Sequence, residues 1–492
     1  MFTVKDKETI RNKGLTMEDI EKQLVFFKQG FPPLEVLGPA VPGNGITCLS
    51  PEEQNKYIQI YKGWNGTRAS FVPASGAASR MFKDLFKAKE VLKSRGREGL
   101  SGNAQVFFEE LHRFAFYPLL EKEEGFDTSH ALGILDILLD RNGLDFAFLP
   151  KGLIPFHKYP EGPKTPFEEH LTEAALATAN PNGTVSVHFT VSEEHLERFK
   201  ELWKHVRSTV EKRFGLTFHV GFSLQSPSTD TLAVTPDNVP FRIEDGTLLF
   251  RPGGHGALLK NLNRLKEDLI VIRNIDNVVP EALLEPVIHW RKVLAGYLVH
   301  CKDRVHTYIN ILKQQQEVVT EELLQEISRF LTDTFCITHA PFSRENRRAY
   351  ASYLLSVLDR PLRVCGMVPI TDEPGGGPFR IRERDGSSSL QILEEVQLNG
   401  KKYNATHFNP VDLVCSIKDV HGHVYPLQKY ADEDTGFVSY KTLEGRDLKA
   451  LELPGLWNGA MSRWNTVFVE VPMDTFNPVK TVTDLLRKEH NN

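Results

Sequence analysis

Between residues 184 and 225 an apolar run, an amphipathic stretch and a second apolar run follow one another almost without a break: "TVSVHFTVS", residues 193 to 214, then "LTFHVGFSLQ". In the middle stretch Leu196, Phe199, Leu202, Trp203, Val206, Val210 and Phe214 recur at helical spacing. "ASFVPAS" before these segments and "DLIVIRNIDN" after them extend the alternation over residues 69 to 280. Strand and helix in alternation imply an α/β fold, a mostly parallel sheet with helices on its faces. In such sheets ligands bind beyond the C-terminal ends of the strands. The residues just after each strand are therefore the ones to read for chemistry.

The flanks are punctuated differently. "TMEDIEKQLVFFKQG" opens on a Thr with carboxylates behind it and closes on Gly30, the start and stop signals of a helix. "SPEEQNKYIQIYKGW" reads as a second capped helix, and "FPPLEVLGPAVPGNG" between them as a Pro/Gly-rich connection. Residues 281 to 358 carry helical spacing suited to core packing, and from 361 onward the chain is mixed, with "EPGGGPF" and short strand-like runs. The organisation expected is an N-terminal helical extension at 1–68 and an α/β core at 69–280. A helical insertion at 281–360 and a C-terminal part at 361–492 follow.

Composition removes several classes of function. The 492 residues exceed what one small core needs, and 40% hydrophobic with 25% charged residues is the balance of a soluble globular chain. A net charge of -5 gives no general attraction to nucleic acid or to an anionic membrane. No stretch reaches the roughly 18 apolar residues of a membrane span. "MFTVKDKETIRNKG" lacks the apolar core of a signal peptide. The cysteines Cys48, Cys301, Cys336, Cys365 and Cys415 are dispersed, without a CxxC pair, which argues against a disulfide framework or a zinc ribbon. The expectation is a cytoplasmic protein with reduced thiols, and the sequence carries no signal for an oligomeric state.

Five segments can carry chemistry. In "FVPASGAASRM", Ser75, Gly76, Ala77, Ala78 and Ser79 lie between a strand and a possible helix, with Arg80 next. Backbone N–H groups at such a turn, with the positive end of a helix behind them, favour an anion; a tight corner is the plainer reading. "LPKGLIPFHKYPEGPKTPFEEHL" sets Lys151, Lys158 and Lys164 in a Pro/Gly-rich loop. Gln225 ends a strand with an amide able to read a base edge. "RPGGHG" places Gly253, Gly254, His255 and Gly256 before a helix, and the following strand ends in "NIDN", where Asp276 is well set to hold a hard cation such as Mg²⁺, or simply to cap a turn. "DTFNPVKTVTDLLRKEH" closes the chain with Lys480.

Taken in order, the small-residue turn with Arg80, "PKGLIP", Gln225, "PGGHG", "NIDN" and "FNPVKTVTDLL" resemble the UDP-sugar pyrophosphorylases. These are nucleotidyltransferases of the GT-A-like, Rossmann-related fold. The resemblance covers residues 69 to 280 and 361 to 486, and the Pro-Val-Lys-Thr and Asp-Leu-Leu of the last segment are its most specific part. The chain also resembles a bacterial group related to that superfamily, DUF4301. The resemblance implies transfer of a uridylyl group from UTP to a sugar 1-phosphate, with Mg²⁺ and release of pyrophosphate. It implies Arg80, Lys151 and Lys480 as catalytic charges, Asp276 as metal ligand, and Ser75 to Ser79, Gln225 and Gly254 to Gly256 around the nucleotide. Glu394, Asn409 and Asn458 fall on the sugar side. The family's opening loop reads roughly L-x-G-G-x-G-T-R-L/M, whereas here only Gly76 remains, with Ser75 and Ala78 at other glycine positions. Alanine disfavours positive φ, so the phosphate is expected farther out or the loop rebuilt around serine hydroxyls. Two alternatives stand beside this reading: a non-catalytic protein binding nucleotide or nucleotide-sugar, and a GT-A glycosyltransferase, against which the single carboxylate of "NIDN" counts.

Overall fold

The computed structural model describes residues 2–314, 319–338, 346–370, 376–398, 400–443 and 445–491. The glycines of "EPGGGPF" fall partly outside these residues, as does the side chain of Asn409, which lies in the strand His407–Ser416. The chain divides into two compact units, each discontinuous in sequence.

One unit comprises Asn65–Leu224, Ile270–Lys292 and Pro472–Asn492. Its strands run in the order Leu269–Ile272, Arg68–Pro73, Thr184–Val191, Thr217–Leu224. Arg68–Pro73 pairs parallel with Thr184–Val191, which pairs parallel with Thr217–Leu224 in unbroken register from Thr184 opposite Thr217 to Val191 opposite Leu224. The crossover between the last two strands is the helix Leu196–Phe214, which Gly215 ends in the left-handed conformation at φ 64. Every residue of Arg68–Pro73 and of Leu269–Ile272 is buried, as strands covered on both faces require. Phe167, Phe189 and Phe199 are fully buried against one another and against Phe222; each such ring contributes about 1.5–3 kcal/mol of burial. A second core gathers Phe82, Phe107, Phe114, Phe116 and Phe146, and Val479, Val482 and Leu485 belong to it. The segment carrying Lys480 is thereby built into the core that also holds residues 78 to 156.

The other unit comprises Met1–Trp64, Gln225–Leu269 and Val293–Val471. Its strands Val41–Pro42, Gly45–Thr47, Asn465–Glu470, Leu362–Pro369 and His407–Ser416 are ordered as written. Leu362–Pro369 runs parallel to Asn465–Glu470 and antiparallel to His407–Ser416, so this sheet is mixed. The predicted helices form as Met17–Gln29 and Pro51–Gly63, with Thr16 and Ser50 closing reciprocal capping boxes through Asp19 and Glu53. The helices Glu285–Gln314, Glu321–Phe335 and Arg347–Leu358 lie within the stretch read as helical. One expectation is corrected. "FPPLEVLGPAVPGNG" is more than a connection, because Glu35–Pro39 forms an edge strand on Gly377–Arg382, which pairs in turn with Ser388–Leu393. Its partner lies far along the chain, and prolines are tolerated on an edge.

All five cysteines are free thiols. Among the described residues no helix is long and apolar enough to cross a membrane.

Candidate functional site

In the first unit four segments far apart in sequence are stitched together by hydrogen bonds. The Ala78 N–H donates to the Leu149 carbonyl at 2.9 Å, fixing the small-residue turn beside Pro150 and Lys151. Lys151 Nζ reaches Asp276 Oδ2 at 2.7 Å and donates to the Val479 carbonyl at 2.6 Å. The Val479 N–H donates to the Asp276 carbonyl at 3.0 Å, and the Val482 N–H to the Met81 carbonyl at 3.1 Å. Lys151, Asp276 and the backbone beside Lys480 and Arg80 are thus brought into one neighbourhood. Arg80 and Lys480 are both exposed. Among the described residues no carboxylate pairs with Arg80, so its charge is available to an anion. Lys480 Nζ lies 5.9 Å from the Phe476 ring centre.

The other two loop lysines are used locally: Lys158 Nζ donates to the His112 carbonyl, while Lys164 Nζ stands 3.8 Å over the Tyr159 ring and pairs with Glu161. Among the described residues no group of three His, Cys, Asp or Glu side chains gathers for a metal. Asp276 is a partly exposed carboxylate ion-paired with Lys151; one such carboxylate would suit Mg²⁺, which keeps its waters and takes substrate phosphate oxygens in preference to a protein cage.

Two expectations for the turn are corrected. Residues Ala78–Arg80 form a short 3-10 turn and the α-helix begins only at Lys83, so Ser75 to Ser79 do not cap an α-helix directly. Nor is any residue of 75–79 at positive φ. Ala77 is extended at φ -64 and ψ 144, and a Cβ on Gly76 would meet nothing within 4 Å. The serine and alanines therefore impose no backbone penalty here, and the backbone need not move outward to admit them.

Sequence reasoning missed a buried polar chain in the same unit. His157 Nδ1 shares a hydrogen bond with Glu169 Oε1 at 2.8 Å, and His157 Nε2 shares one with His490 Nδ1 at 2.9 Å. The Tyr159 hydroxyl donates to Glu169 and accepts from the Glu281 N–H. His157, Glu169 and His490 are almost wholly buried. Burial pushes both imidazoles down to about 3 and the Glu169 carboxyl up to about 8. The chain joins the loop after Lys151, the helix Pro166–Ala177 and the segment after Lys480. Beside it, burial raises Glu173, but Arg291 and Arg273 outweigh it and hold this carboxyl well below the usual range. The only local sign was the capping box of "TPFEEHL"; burial of its acids was invisible.

In the second unit Gly254, His255, Glu394 and Asn458 line one cavity. Asn458 Nδ2 donates to Glu394 Oε1 at 2.8 Å, while its Oδ1 is buried without a partner among the described residues. The His255 ring stands edge-on to Trp457 at 4.9 Å. Gly256 has a packing reason, since a Cβ there would lie 1.9 Å from the Pro454 carbonyl oxygen. Gln225 does not line this cavity; its Nε2 donates to Thr229 Oγ1 at 3.3 Å.

A family model described as "Domain of unknown function (DUF4301)" matches residues 3–491. No curated protein matches the chain. Among solved structures, a mutant of UDP-glucose pyrophosphorylase from Leishmania major in complex with UDP-glucose is similar at 13% identity, covering 99% of this chain and 79% of that one, with a TM-score of 0.45. A protein from Entamoeba histolytica assigned as a UDP-N-acetylglucosamine pyrophosphorylase is also similar at 13% identity, covering 90% of this chain and 82% of that one, with a TM-score of 0.43.

Proposed function

The chain belongs to the DUF4301 family, and for this member we propose nucleotidyl transfer from UTP to a sugar 1-phosphate, with pyrophosphate released. The observation that carries the reading is the convergence of Lys151, Asp276 and the segment of Lys480 on one another, with the Arg80 turn bonded beside them. The preference for uridine and for a sugar phosphate comes from the motif resemblance.

In the reaction an oxygen of the sugar phosphate attacks the α-phosphorus of the triphosphate. A new P–O bond forms there, the bond to the bridging oxygen of the β-phosphate breaks, and that electron pair leaves with pyrophosphate. Both reactants are anions, so the chain's work is to hold them in line and to spread positive charge over the transition state. Arg80 and the backbone of Ser75 to Ser79 hold the departing phosphates. Lys151 and Lys480 neutralise the α-phosphate and the sugar phosphate. The motif resemblance, and not the cavity geometry, assigns Gln225 and the turn Gly254 to Gly256 to base and ribose, and Glu394, Asn409 and Asn458 to the sugar hydroxyls. Mg²⁺ at Asp276 supplies further charge on the phosphate oxygens when bound.

The test is pyrophosphate release from UTP with a panel of sugar 1-phosphates. Release should require both substrates, and Lys151→Met should lower its rate by roughly 10²–10³, the usual cost of one lost electrostatic donor. One observation favours a protein that only binds nucleotide-sugar: the Lys151 ammonium is already satisfied by Asp276 and the Val479 carbonyl. Saturable binding of UDP-sugars with no pyrophosphate release from any triphosphate and sugar phosphate would establish that second reading instead.

A further inference from the structure

The second unit holds another cavity, of about 210 Å³, which none of the residues assigned above to nucleotide, phosphate or sugar lines. The helix Arg347–Leu358 brings Tyr353 to it, and Arg360 follows just past the helix end. Glu383 stands where the hairpin of Gly377–Arg382 and Ser388–Leu393 turns. Ser462 and Trp464 follow the turn Gly459–Met461, and Asp432, Asp385, Arg384 and Arg463 add further charges of both signs to the wall.

Several of these groups are held without being satisfied. Trp464 and Ser462 are only 3% and 7% exposed, yet Trp464 Nε1 and Ser462 Oγ have no hydrogen-bond partner among the described residues. Buried polar atoms in that state are uncommon and ask for an explanation. Arg360 Nε donates to the Ser356 carbonyl at 3.1 Å, and among the described residues its guanidinium makes no ion pair. Burial draws that guanidinium below the ordinary arginine range. Glu383 accepts from the Ser389 hydroxyl, and burial raises its carboxyl.

The chemistry of the wall narrows what it can hold. Arg360 faces Glu383, with Asp432 nearby, so an ion of either sign would meet like charge. An apolar guest would strand the donors. The cavity is also smaller than the roughly 300–1,000 Å³ that takes drug-sized ligands. What remains is a small neutral molecule rich in hydroxyls, with a flat C–H face for the rings of Trp464 and Tyr353. We infer that this cavity is a binding site for a neutral polyol of monosaccharide size, held by Arg360, Glu383, Ser462 and Trp464.

The full chain is titrated by calorimetry and tryptophan fluorescence with myo-inositol, glucose, galactose, mannose and N-acetylglucosamine. At least one should bind saturably, with an emission change that Trp464→Phe abolishes. Arg360→Met and Glu383→Gln should each weaken binding by about tenfold, equivalent to about 1.4 kcal/mol. If Arg360→Met does not fold, Ser462→Ala and Trp464→Phe, each deleting one donor, carry the same comparison. The inference is overturned if no polyol binds to protein of intact thermal midpoint. It is equally overturned if binding is lost in Asn458→Ala and kept in Glu383→Gln, or if glycine binds more tightly than every polyol.

Discussion

At the scale of single residues, glycine separates two kinds of necessity. Gly76 is the last glycine of the turn, yet its φ is ordinary and a Cβ there meets open space. Gly76→Ala should leave stability within about 0.5 kcal/mol of the parent, as surface substitutions usually do. Gly256 is the opposite case, because its Cβ would overlap the Pro454 carbonyl at 1.9 Å. Gly256→Ala should cost several kcal/mol, the range of overpacking with backbone displacement (about 1–3 or more). Chemical denaturation of both variants checks the pair, and equal midpoints would refute the assignment. In the sequence the two glycines looked alike. Only the neighbours across the chain distinguish a residue that something packs against from one that merely persists.

At the scale of elements, end chemistry was the most legible feature. Thr16, Ser50 and Thr165 each cap a helix through a box with the acid three residues on. Of these, Thr165 matters most to the site, since its helix carries Glu169 and Glu173. Thr165→Ala should destabilise by about 1 kcal/mol, lowering Tm by a few degrees. Ser101 stands at the N-terminus of Gly102–Glu109 but makes no side-chain cap bond, so Ser101→Ala should change Tm by far less. A matching loss in both would mean that these caps do not act through their hydroxyls. The edge strand Glu35–Pro39 escaped reading for the complementary reason: its stabilising partner is Gly377–Arg382, and nothing within its own prolines announces a strand.

At the scale of the whole molecule, the chain Tyr159–Glu169–His157–His490 makes stability depend on pH in two directions. The imidazoles have folded values near 3, below the ordinary histidine range, so the unfolded chain takes up protons first as pH falls. Their contribution is present above the ordinary range and lost as pH drops towards 3, by at most about 1.4 kcal/mol per group per pH unit. Glu169 is raised to about 8, so its contribution is present below the ordinary carboxyl range and lost as pH rises through 8. Arg487, Asp484, Lys164, Glu173 and Glu281 also act on these groups and belong to the same titration. A plot of Tm against pH should fall on both sides, and Glu169→Gln should flatten the alkaline limb while sparing the acid one. An alkaline limb unchanged in that variant would remove Glu169 from the account.

The sequence by itself determined the local grammar of this protein: strand and helix alternating over residues 184 to 224, the capped helices, and Lys151, Asp276 and Lys480 set at breaks in that pattern. Those features depend on neighbours within a turn or two of each other, where periodicity and capping are decided. Tertiary structure alone decided that Lys151 meets Asp276 across 125 residues and the Val479 carbonyl across 328. It also decided that His157 meets His490, and that Gln225 turns to Thr229 and away from the cavity of Asn458. Such pairings follow from the path of the chain through units that are each discontinuous in sequence and from burial in their cores, and short-range residue preference does not encode them.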